Sequence, residues 1–186
     1  SRHGLPERTR QQMRTALGNG ARRLTELSVP AGTDSALFET LLAEYNADYA
    51  AHCRIETAPY PGVAALLLKL HAQGRKLAIV SNKPDEAVRA LRAEFFADTV
   101  PIAVGEKQGI RRKPAPDTLL TAMAQLGAER ESTVYVGDSE VDIATARAAG
   151  LPCISVLWGF RDRDVLEQAG AQHFAADADE LARLLD

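Results

Sequence analysis

The chain has few cysteines, few aromatic residues and no long apolar run among its 186 residues. Its two cysteines, Cys53 and Cys153, lack the spacing of a zinc site or of a disulfide framework, so we expect both to be reduced. No apolar run approaches the length of a membrane span, and no charged start followed by a hydrophobic segment marks a secreted protein. These absences predict a cytoplasmic protein that has no membrane partner.

Charge and histidine content exclude two further classes of protein. The net charge is −3, and the basic residues are scattered without aromatic residues between them, which predicts that nucleic acid is not a partner. The four histidines are dispersed and form no pair of metal ligands. With 46% hydrophobic residues the chain can bury a core, and its length allows one domain with a small insert.

The sequence divides near Thr57 into a helical part and an alternating part. Before this residue there is almost no strand signal, and helical periodicity covers residues 7–17, 21–27 and 35–55. After it, apolar strand candidates alternate with amphipathic helices, which predicts parallel strands with right-handed crossovers. The strand candidates lie at 77–80, 101–104, 133–136, 153–156 and about 173–175, followed by a helix at 179–185. We predict an α/β fold with a doubly wound parallel sheet at residues 58–186 and a small α-helical domain at residues 1–57.

The most informative stretch is residues 134–142, where two carboxylates lie four residues apart at the end of an apolar run. Asp138 ends a predicted strand, and Asp142 lies in the first turn of the helix that follows. Ligands of open α/β sheets bind at this edge, and two ionised carboxylates so close repel each other unless a cation intervenes. The spacing therefore indicates a magnesium site. The alternative is that Asp138 caps the helix and Asp142 interacts with its dipole.

Two other polar signals follow the same order of strand, turn and helix. Ser81 and Asn82 come after the strand candidate at 77–80, where a hydroxyl and backbone N–H groups suit phosphate oxygens, although such a turn also serves as a simple cap. Lys113 precedes a predicted helix and can neutralise a phosphate or a carboxylate. The alternative for Lys113 is a solvated basic loop.

In this order Ser81-Asn82, Lys113-Pro114 and Gly137-Asp138-Ser139-x-x-Asp142 resemble the haloacid dehalogenase-like hydrolase superfamily, in its phosphoglycolate phosphatase-like branch. The resemblance covers nearly the whole chain and includes Tyr60-Pro61-Gly62-Val63, Gly18-Asn19-Gly20, Ala148-Ala149-Gly150 and Trp158-Gly159-Phe160. It implies a Rossmann-like hydrolase core at residues 58–186 and a helical cap domain at residues 1–57. It also implies that Ser81 and Asn82 bind the phosphoryl group, that Lys113 steadies the nucleophile and the phosphate, and that Asp138 and Asp142 hold Mg²⁺.

The chain departs from this family in one respect. Such phosphatases open with a strand that ends in Asp-x-Asp-Gly-Thr, whose first Asp is the nucleophile and whose second is the general acid and base. This chain has no such motif, and Glu7, Glu26 and Asp34 follow no apolar strand. Either an N-terminal segment is missing or the chemistry has been lost. We expect the former, because the missing strand belongs in the middle of the sheet and its loss would leave neighbouring backbone unpaired.

Substrate selection is expected from the helical part. A glycine on either side of Asn19, one of them Gly20, lets the backbone approach a ligand, and Arg22 or Arg23 can pair with a substrate carboxylate such as that of phosphoglycolate. The alternative is a turn between helices with solvated arginines.

The resemblance implies a magnesium-dependent phosphomonoester hydrolase that acts on a small phosphorylated metabolite, such as phosphoglycolate, through an aspartyl-phosphate intermediate. We expect a monomer or a homodimer. A catalytically silent phosphate-binding relative, a phosphosugar mutase or another small-molecule phosphatase remain alternatives. A haloacid dehalogenase needs no metal, so the acidic pair argues against it.

Overall fold

The computed structural model describes residues 3–186, and the first two residues of the predicted helical domain lie outside the described part. Contacts divide the chain into two compact units, with the boundary between Thr57 and Ala58. The first unit is called the helical unit below and the second the α/β unit.

The helical unit contains three helices over its described residues, α1 (Arg10–Ala16), α2 (Gly20–Ser28) and α3 (Ser35–His52). Helix α1 begins later than the sequence predicts, because the Thr9 side chain accepts the N–H of Gln12 while the Gln12 side chain accepts the N–H of Thr9. This reciprocal capping box fixes the start of the helix. Helix α3 begins as predicted, since the Asp34 carboxylate accepts the N–H groups of Ala36 and Leu37.

The α/β unit alternates helices and strands, as the sequence predicts. Its helices are α4 (Val63–Ala72), α5 (Asp85–Phe95), α6 (Asp117–Leu126), α7 (Glu140–Ala149), α8 (Arg163–Gln168) and α9 (Ala178–Leu185), with a short 3₁₀ turn at Arg130–Ser132. Its strands are β1 (Ala78–Pro84), β2 (Ile102–Glu106), β3 (Tyr135–Gly137), β4 (Cys153–Val156) and β5 (His173–Ala175). The predicted α/β class is confirmed. No helix within residues 3–186 is both long and apolar enough to cross a membrane.

Every strand pair is parallel, but the strands form two sheets and not one. Strand β1 pairs with β2, and β3, β4 and β5 pair in that order. The division falls between β1 and β3, each of which is an edge strand of its sheet within the described residues. The predicted parallel strands are thus present, in two parallel sheets of one unit.

Strand β1 is longer than the sequence predicts. Residues 81–84 were expected to form a turn, yet the strand continues and Pro84 is the partner of Glu106 on β2. The register shifts between Val80 and Pro84, so the polar residues Ser81 and Asn82 lie in an irregular stretch of strand. An irregularity of this kind turns side chains away from the regular alternation and is common next to functional sites.

Helices cover both faces of the three-stranded sheet. On one face Leu66 and Leu70 of α4 and Leu181 of α9 pack with Ile154 and Val156 of β4. On the other face a second cluster contains Leu119, Met123, Tyr135, Ala146, Ala149 and Leu151, and Val80 and Cys153 pack against it. Alternate residues of β4 therefore point to opposite helical layers, as expected of a doubly wound fold.

Candidate functional site

Three segments that the sequence places after separate strands are joined by side-chain hydrogen bonds. The Asn82 amide, on β1, binds the backbone of Lys113, with Nδ2 donating to its C=O at 3.0 Å and Oδ1 accepting its N–H at 2.8 Å. The Lys113 ammonium then donates to Asp142 Oδ1 at 2.7 Å. Asn82 and Asp142 are both buried. The predicted site residues on the α/β unit are thus brought to one edge of the fold.

Asp142 lies at the centre of this arrangement, with both carboxylate oxygens occupied. Its Oδ1 accepts hydrogen bonds from Lys113 and from the Tyr135 hydroxyl, the latter at 2.9 Å. Its Oδ2 accepts the Ser139 hydroxyl at 2.6 Å and the N–H groups of Ser139 and Asp138. Burial raises the pKa of Asp142, but the Lys113 charge and these hydrogen bonds outweigh burial and leave the pKa below its usual value. Asp142 is therefore ionised and fixed.

Gly137 is required because Asp142 folds back against it. A Cβ added at Gly137 would lie 2.3 Å from the Cβ of Asp142, which no side chain tolerates. The sequence explains this glycine as the residue of a tight turn, whereas the structure shows that it makes room for a carboxylate.

Asp138 has a different environment from Asp142. Its Oδ2 accepts the N–H of Phe160 at 2.8 Å, from the segment that follows β4. Burial raises the pKa of Asp138, and the Phe160 hydrogen bond only partly opposes this. Within residues 3–186, no other residue donates a hydrogen bond to Asp138 Oδ1. One oxygen of a carboxylate whose charge is poorly compensated is therefore available to a ligand.

The helix-capping alternative is wrong for Asp138 and partly correct for Asp142. The N-cap of α7 is Ser139, whose hydroxyl accepts the N–H of Asp142, while the Asp142 side chain accepts the N–H of Ser139. Asp138 takes no part in this capping box. Its carboxylate is thus not explained by the start of the helix.

Ser81 lies beside Asn82 on β1, and its hydroxyl accepts the N–H of Lys83 at 3.1 Å. Both ends of the Asn82 side-chain amide bind the backbone of Lys113, so this side chain positions the lysine. That the Ser81 hydroxyl and the adjacent backbone of Asn82 bind phosphate stays a prediction.

The predicted substrate residues Asn19, Gly20 and Arg22 belong to the helical unit. Arg22 forms a bidentate ion pair with Glu39, at 2.8 and 3.0 Å, and its guanidinium lies over the Phe38 ring. Asn19 precedes α2 without a side-chain cap, and Gly20 is the first residue of the helix with a φ of 79°. Arg22 would have to exchange Glu39 for a substrate carboxylate.

The comparison with known protein families decides the family of this chain. A family model described as haloacid dehalogenase-like hydrolase matches residues 1–156. The chain belongs to this family. The resemblance in the sequence motifs is thereby confirmed.

Similar proteins place this haloacid dehalogenase-like hydrolase in the phosphoglycolate phosphatase-like branch and make it a phosphatase by class. It is 33% identical over 162 residues to a phosphoglycolate phosphatase of Xanthomonas campestris pv. campestris. The matched residues make up 87% of this chain and 73% of the relative. It is 29% identical over 176 residues to the N-acetylmuramic acid 6-phosphate phosphatase of Pseudomonas aeruginosa, covering 94% of this chain and 76% of that one. A crystal structure from Lactobacillus delbrueckii subsp. bulgaricus, assigned as a phosphoglycolate phosphatase, superposes with a TM-score of 0.89 at 35% identity, covering 96% and 83% of the two chains.

The acidic residues of this hydrolase supply only some of the ligands that a metal ion needs. Within residues 3–186 no group of three or more His, Cys, Asp or Glu residues is arranged to hold one. Mg²⁺, however, is often bound by one or two carboxylates together with phosphate and water. Asp138 fits such a site through Oδ1. Both carboxylate oxygens of Asp142 accept hydrogen bonds, among them those from Lys113 and from the backbone of Asp138, so any contribution of Asp142 to a metal site would be indirect.

Several residues of the site were not predicted from the sequence. The sequence pattern predicts Tyr135 only as a strand residue, yet its hydroxyl contacts both Lys113 and Asp142. It predicts no role for Phe160 or Arg161, although both follow β4 at the edge where ligands of this fold bind. Their position after a strand is the signal that could have found them.

Proposed function

We propose that the protein is a magnesium-dependent phosphomonoester hydrolase that acts in the cytoplasm on a small phosphorylated metabolite, with phosphoglycolate as the substrate. The proposed route is an aspartyl-phosphate intermediate. The observation that carries the proposal is the buried pair of Lys113 and Asp142, which lies next to the incompletely compensated carboxylate of Asp138. Such an arrangement suits a phosphate with a bound Mg²⁺, since the site offers a cationic group to the anion and a carboxylate to the cation.

Lys113 is the group that would bind the phosphoryl oxygens. Its ammonium has three donors, of which Asp142 takes one and the Tyr135 hydroxyl another, at 2.7 and 3.1 Å. The third is available to a phosphate oxygen. Because Asn82 holds the Lys113 backbone and Asp142 holds its ammonium, little reorganisation is needed when charge develops on the transferring group.

Asp138 is the residue that would hold Mg²⁺, through the carboxylate oxygen that does not accept the Phe160 N–H. Bound Mg²⁺ would offset negative charge on the phosphoryl group. Asp142 would keep the turn before α7 in place by accepting the N–H of Asp138.

The division of the sheet supports a nucleophile supplied by a further strand. The edges of β1 and β3 that are not paired flank the division, and Val134 and Val136 beside it are exposed. Unpaired strand edges with exposed apolar side chains are unfavourable in a parallel sheet. A strand inserted there would place an aspartate at its carboxyl end near Ser81 and Asp138. We therefore propose that the nucleophile and the acid/base lie in a segment outside these 186 residues.

The choice of phosphoglycolate is supported by the relatives of that name, whereas the relative that acts on N-acetylmuramic acid 6-phosphate supports a sugar phosphate as the alternative substrate. A catalytically silent phosphate-binding protein and a phosphosugar mutase stay as alternatives, because the nucleophile motif is absent from the chain.

The test is phosphate release by the product of the complete reading frame and by the 186-residue chain, assayed side by side. Phosphoglycolate and N-acetylmuramic acid 6-phosphate are each supplied with Mg²⁺ or with a chelator. We expect metal-dependent release by the complete product and none by the shorter chain. Equal turnover by both would show that the nucleophile lies within these residues. No turnover by a complete product whose mass matches these residues alone would identify a silent relative.

The role of Asp138 is tested in the active protein by Asp138→Ala, which should abolish phosphate release. Asp164→Ala, an exposed aspartate on α8, is the matched control and should retain it. Undiminished activity of the Asp138→Ala protein would exclude Asp138 as the magnesium residue.

A further inference from the structure

A second ion pair, between buried Arg161 and the partly exposed Glu140, lies beside the site and has no role in the proposed chemistry. Arg161 Nε donates to Glu140 Oε2 at 2.7 Å, and Arg161 Nη2 donates to Glu140 Oε1 at 3.1 Å. The Arg161 side chain is only 9% exposed. Parallel hydrogen bonds of this kind fix orientation as well as distance. The pair ties the segment after β4 to the first residue of α7.

The residues just before Arg161 contact Asp138 directly. The Phe160 N–H donates to Asp138 Oδ2 at 2.8 Å. A Cβ added to Gly159 would lie 2.2 Å from both the Cβ and Oδ2 of Asp138, so the backbone of this glycine packs against the carboxylate. The Asp138 carboxylate therefore has little rotational freedom, because Phe160 binds one of its oxygens and the Gly159 backbone packs against it.

We infer that Arg161, through its ion pair with Glu140, is a positioning residue that holds the Gly159–Phe160 backbone against Asp138 and thereby orients the free oxygen of that carboxylate. In this role Arg161 acts through the backbone before it and the carboxylate of Asp138. The expected effect on metal affinity rests on the proposed function. The effect of Arg161 on the Asp138–Phe160 hydrogen bond does not, and it can be tested without metal or activity.

The geometry favours this role over a pair that only stabilises the fold. Glu140 follows Asp138 by two residues, and Arg161 directly follows Phe160. The ion pair thus joins the same two segments as the Asp138–Phe160 hydrogen bond, one or two residues further along each segment. Burying a guanidinium carries a desolvation penalty that a pair of this kind offsets only with good geometry. Its position at the binding edge is what distinguishes it from an ion pair elsewhere on the unit.

The experiment measures amide hydrogen exchange by NMR in the wild-type chain, in Arg161→Lys and in Glu140→Gln. Lysine keeps the charge of Arg161 but loses the two parallel hydrogen bonds, and glutamine keeps one acceptor. We expect the Phe160 amide to exchange about tenfold faster in Arg161→Lys, since hydrogen bonds to charged groups are strong, and less so in Glu140→Gln. The amides within α7 should keep wild-type protection.

The matched control is Arg163→Lys. Arg163 pairs with Glu167 at the same 2.7 Å, but this pair is exposed on α8. The inference is overturned if Phe160 exchanges no faster in Arg161→Lys than in this control, or if the amides of α7 accelerate equally with it, as a merely structural pair would require.

Mg²⁺ titration of the same proteins by calorimetry separates the inference from the proposed function. Weaker Mg²⁺ binding in Arg161→Lys than in the Arg163→Lys control supports both. Failure of the wild type to bind Mg²⁺ would contradict the proposed function and leave the Phe160 result to decide the inference. Unchanged Mg²⁺ binding in Arg161→Lys, with a wild type that binds, would overturn the positioning role.

Discussion

The helical unit and the α/β unit each contain an ion pair at a predicted functional residue, and the two pairs differ in burial more than in length. Arg22 and Glu39 lie 2.8 Å apart with side chains 47% and 58% exposed. Lys113 and Asp142 lie 2.7 Å apart with side chains 11% and 6% exposed. The described part of the helical unit buries only Ala16, Leu24 and Thr25, and the long helix α3 buries none of its residues.

This difference separates two uses of charge. In the helical unit, water competes with both partners, so the pair is weak and either partner can be exchanged for a ligand at little cost. In the α/β unit, the low-dielectric surroundings make each charge depend on the other, and neither can be removed without leaving an isolated buried charge. The first arrangement suits selection among substrates, and the second suits a fixed site.

The largest expected effect is that of Lys113→Met. Because Asp142 would remain buried and ionised without its cation, the free energy of unfolding should fall by about 3–5 kcal/mol. Urea unfolding at neutral pH measures this. In the active protein, turnover should be severely reduced, and near-normal rates would break the proposed link between Lys113 and the phosphate. A loss of stability below about 1 kcal/mol would show that the pair is no stronger than a surface pair.

The two carboxylates of the site should respond to acid in opposite ways. The folded pKa of Asp142 is lowered, so its contribution to stability is complete above the unfolded value of about 3.9 and is lost as pH falls through the folded pKa. Asp142→Asn should remove that part of the acid dependence. Urea unfolding from neutral pH to about pH 3 measures it, and a variant with the wild-type pH slope would contradict the assignment.

Asp138 is the control, because its pKa is shifted in the opposite direction from that of Asp142. Its folded pKa is raised, so the charged carboxylate destabilises the fold once pH rises through that value. Asp138→Asn should therefore be at least as stable as the wild type at neutral pH while abolishing turnover in the active protein. Such an exchange of stability for function is common at binding sites. A clear loss of stability would show that the Asp138 charge is well compensated without a ligand.

A smaller effect concerns Cys153, which reports on the interior beside Asp142. Burial, followed by the Asp142 charge, raises the pKa of the Cys153 thiol to about 12. In a Cys53→Ser variant at pH 8, iodoacetamide should modify native Cys153 roughly a thousandfold more slowly than the urea-unfolded protein, since only the thiolate reacts. Equal rates in the native and unfolded protein would show that this interior is open to solvent.

The smallest effect is expected from Arg22→Met, the counterpart of Lys113→Met on the helical unit. Because Glu39 is solvated, removing its partner Arg22 should leave the midpoint of urea unfolding unchanged within the error of the titration. In the active protein, the KM for phosphoglycolate should rise with little change in kcat if Arg22 binds the substrate carboxylate. An unchanged KM would remove Arg22 from the proposed substrate site.

Local patterns predicted the elements better than their pairing. Strand β4 and the start of α3 have the predicted limits, because apolar runs and a capping aspartate are signals carried by neighbouring residues. Strand β1 was underestimated, since Ser81 and Asn82 look like a turn until a neighbouring strand and Lys113 provide their partners. The break between β1 and β3 has no local signal and follows only from the missing middle strand that the family resemblance implies.

The sequence by itself determined the family, the α/β class and which residue types carry the candidate chemistry, because motif spacing and periodicity are properties of the chain. Only the tertiary structure decided their contacts. It turned Asn82 towards Lys113, engaged both oxygens of Asp142, and left one oxygen of Asp138 without a donor from another described residue. Hydrogen bonds and desolvation act between groups that are distant in sequence, so two aspartates of the same motif acquire opposite pKa shifts only when the chain is folded.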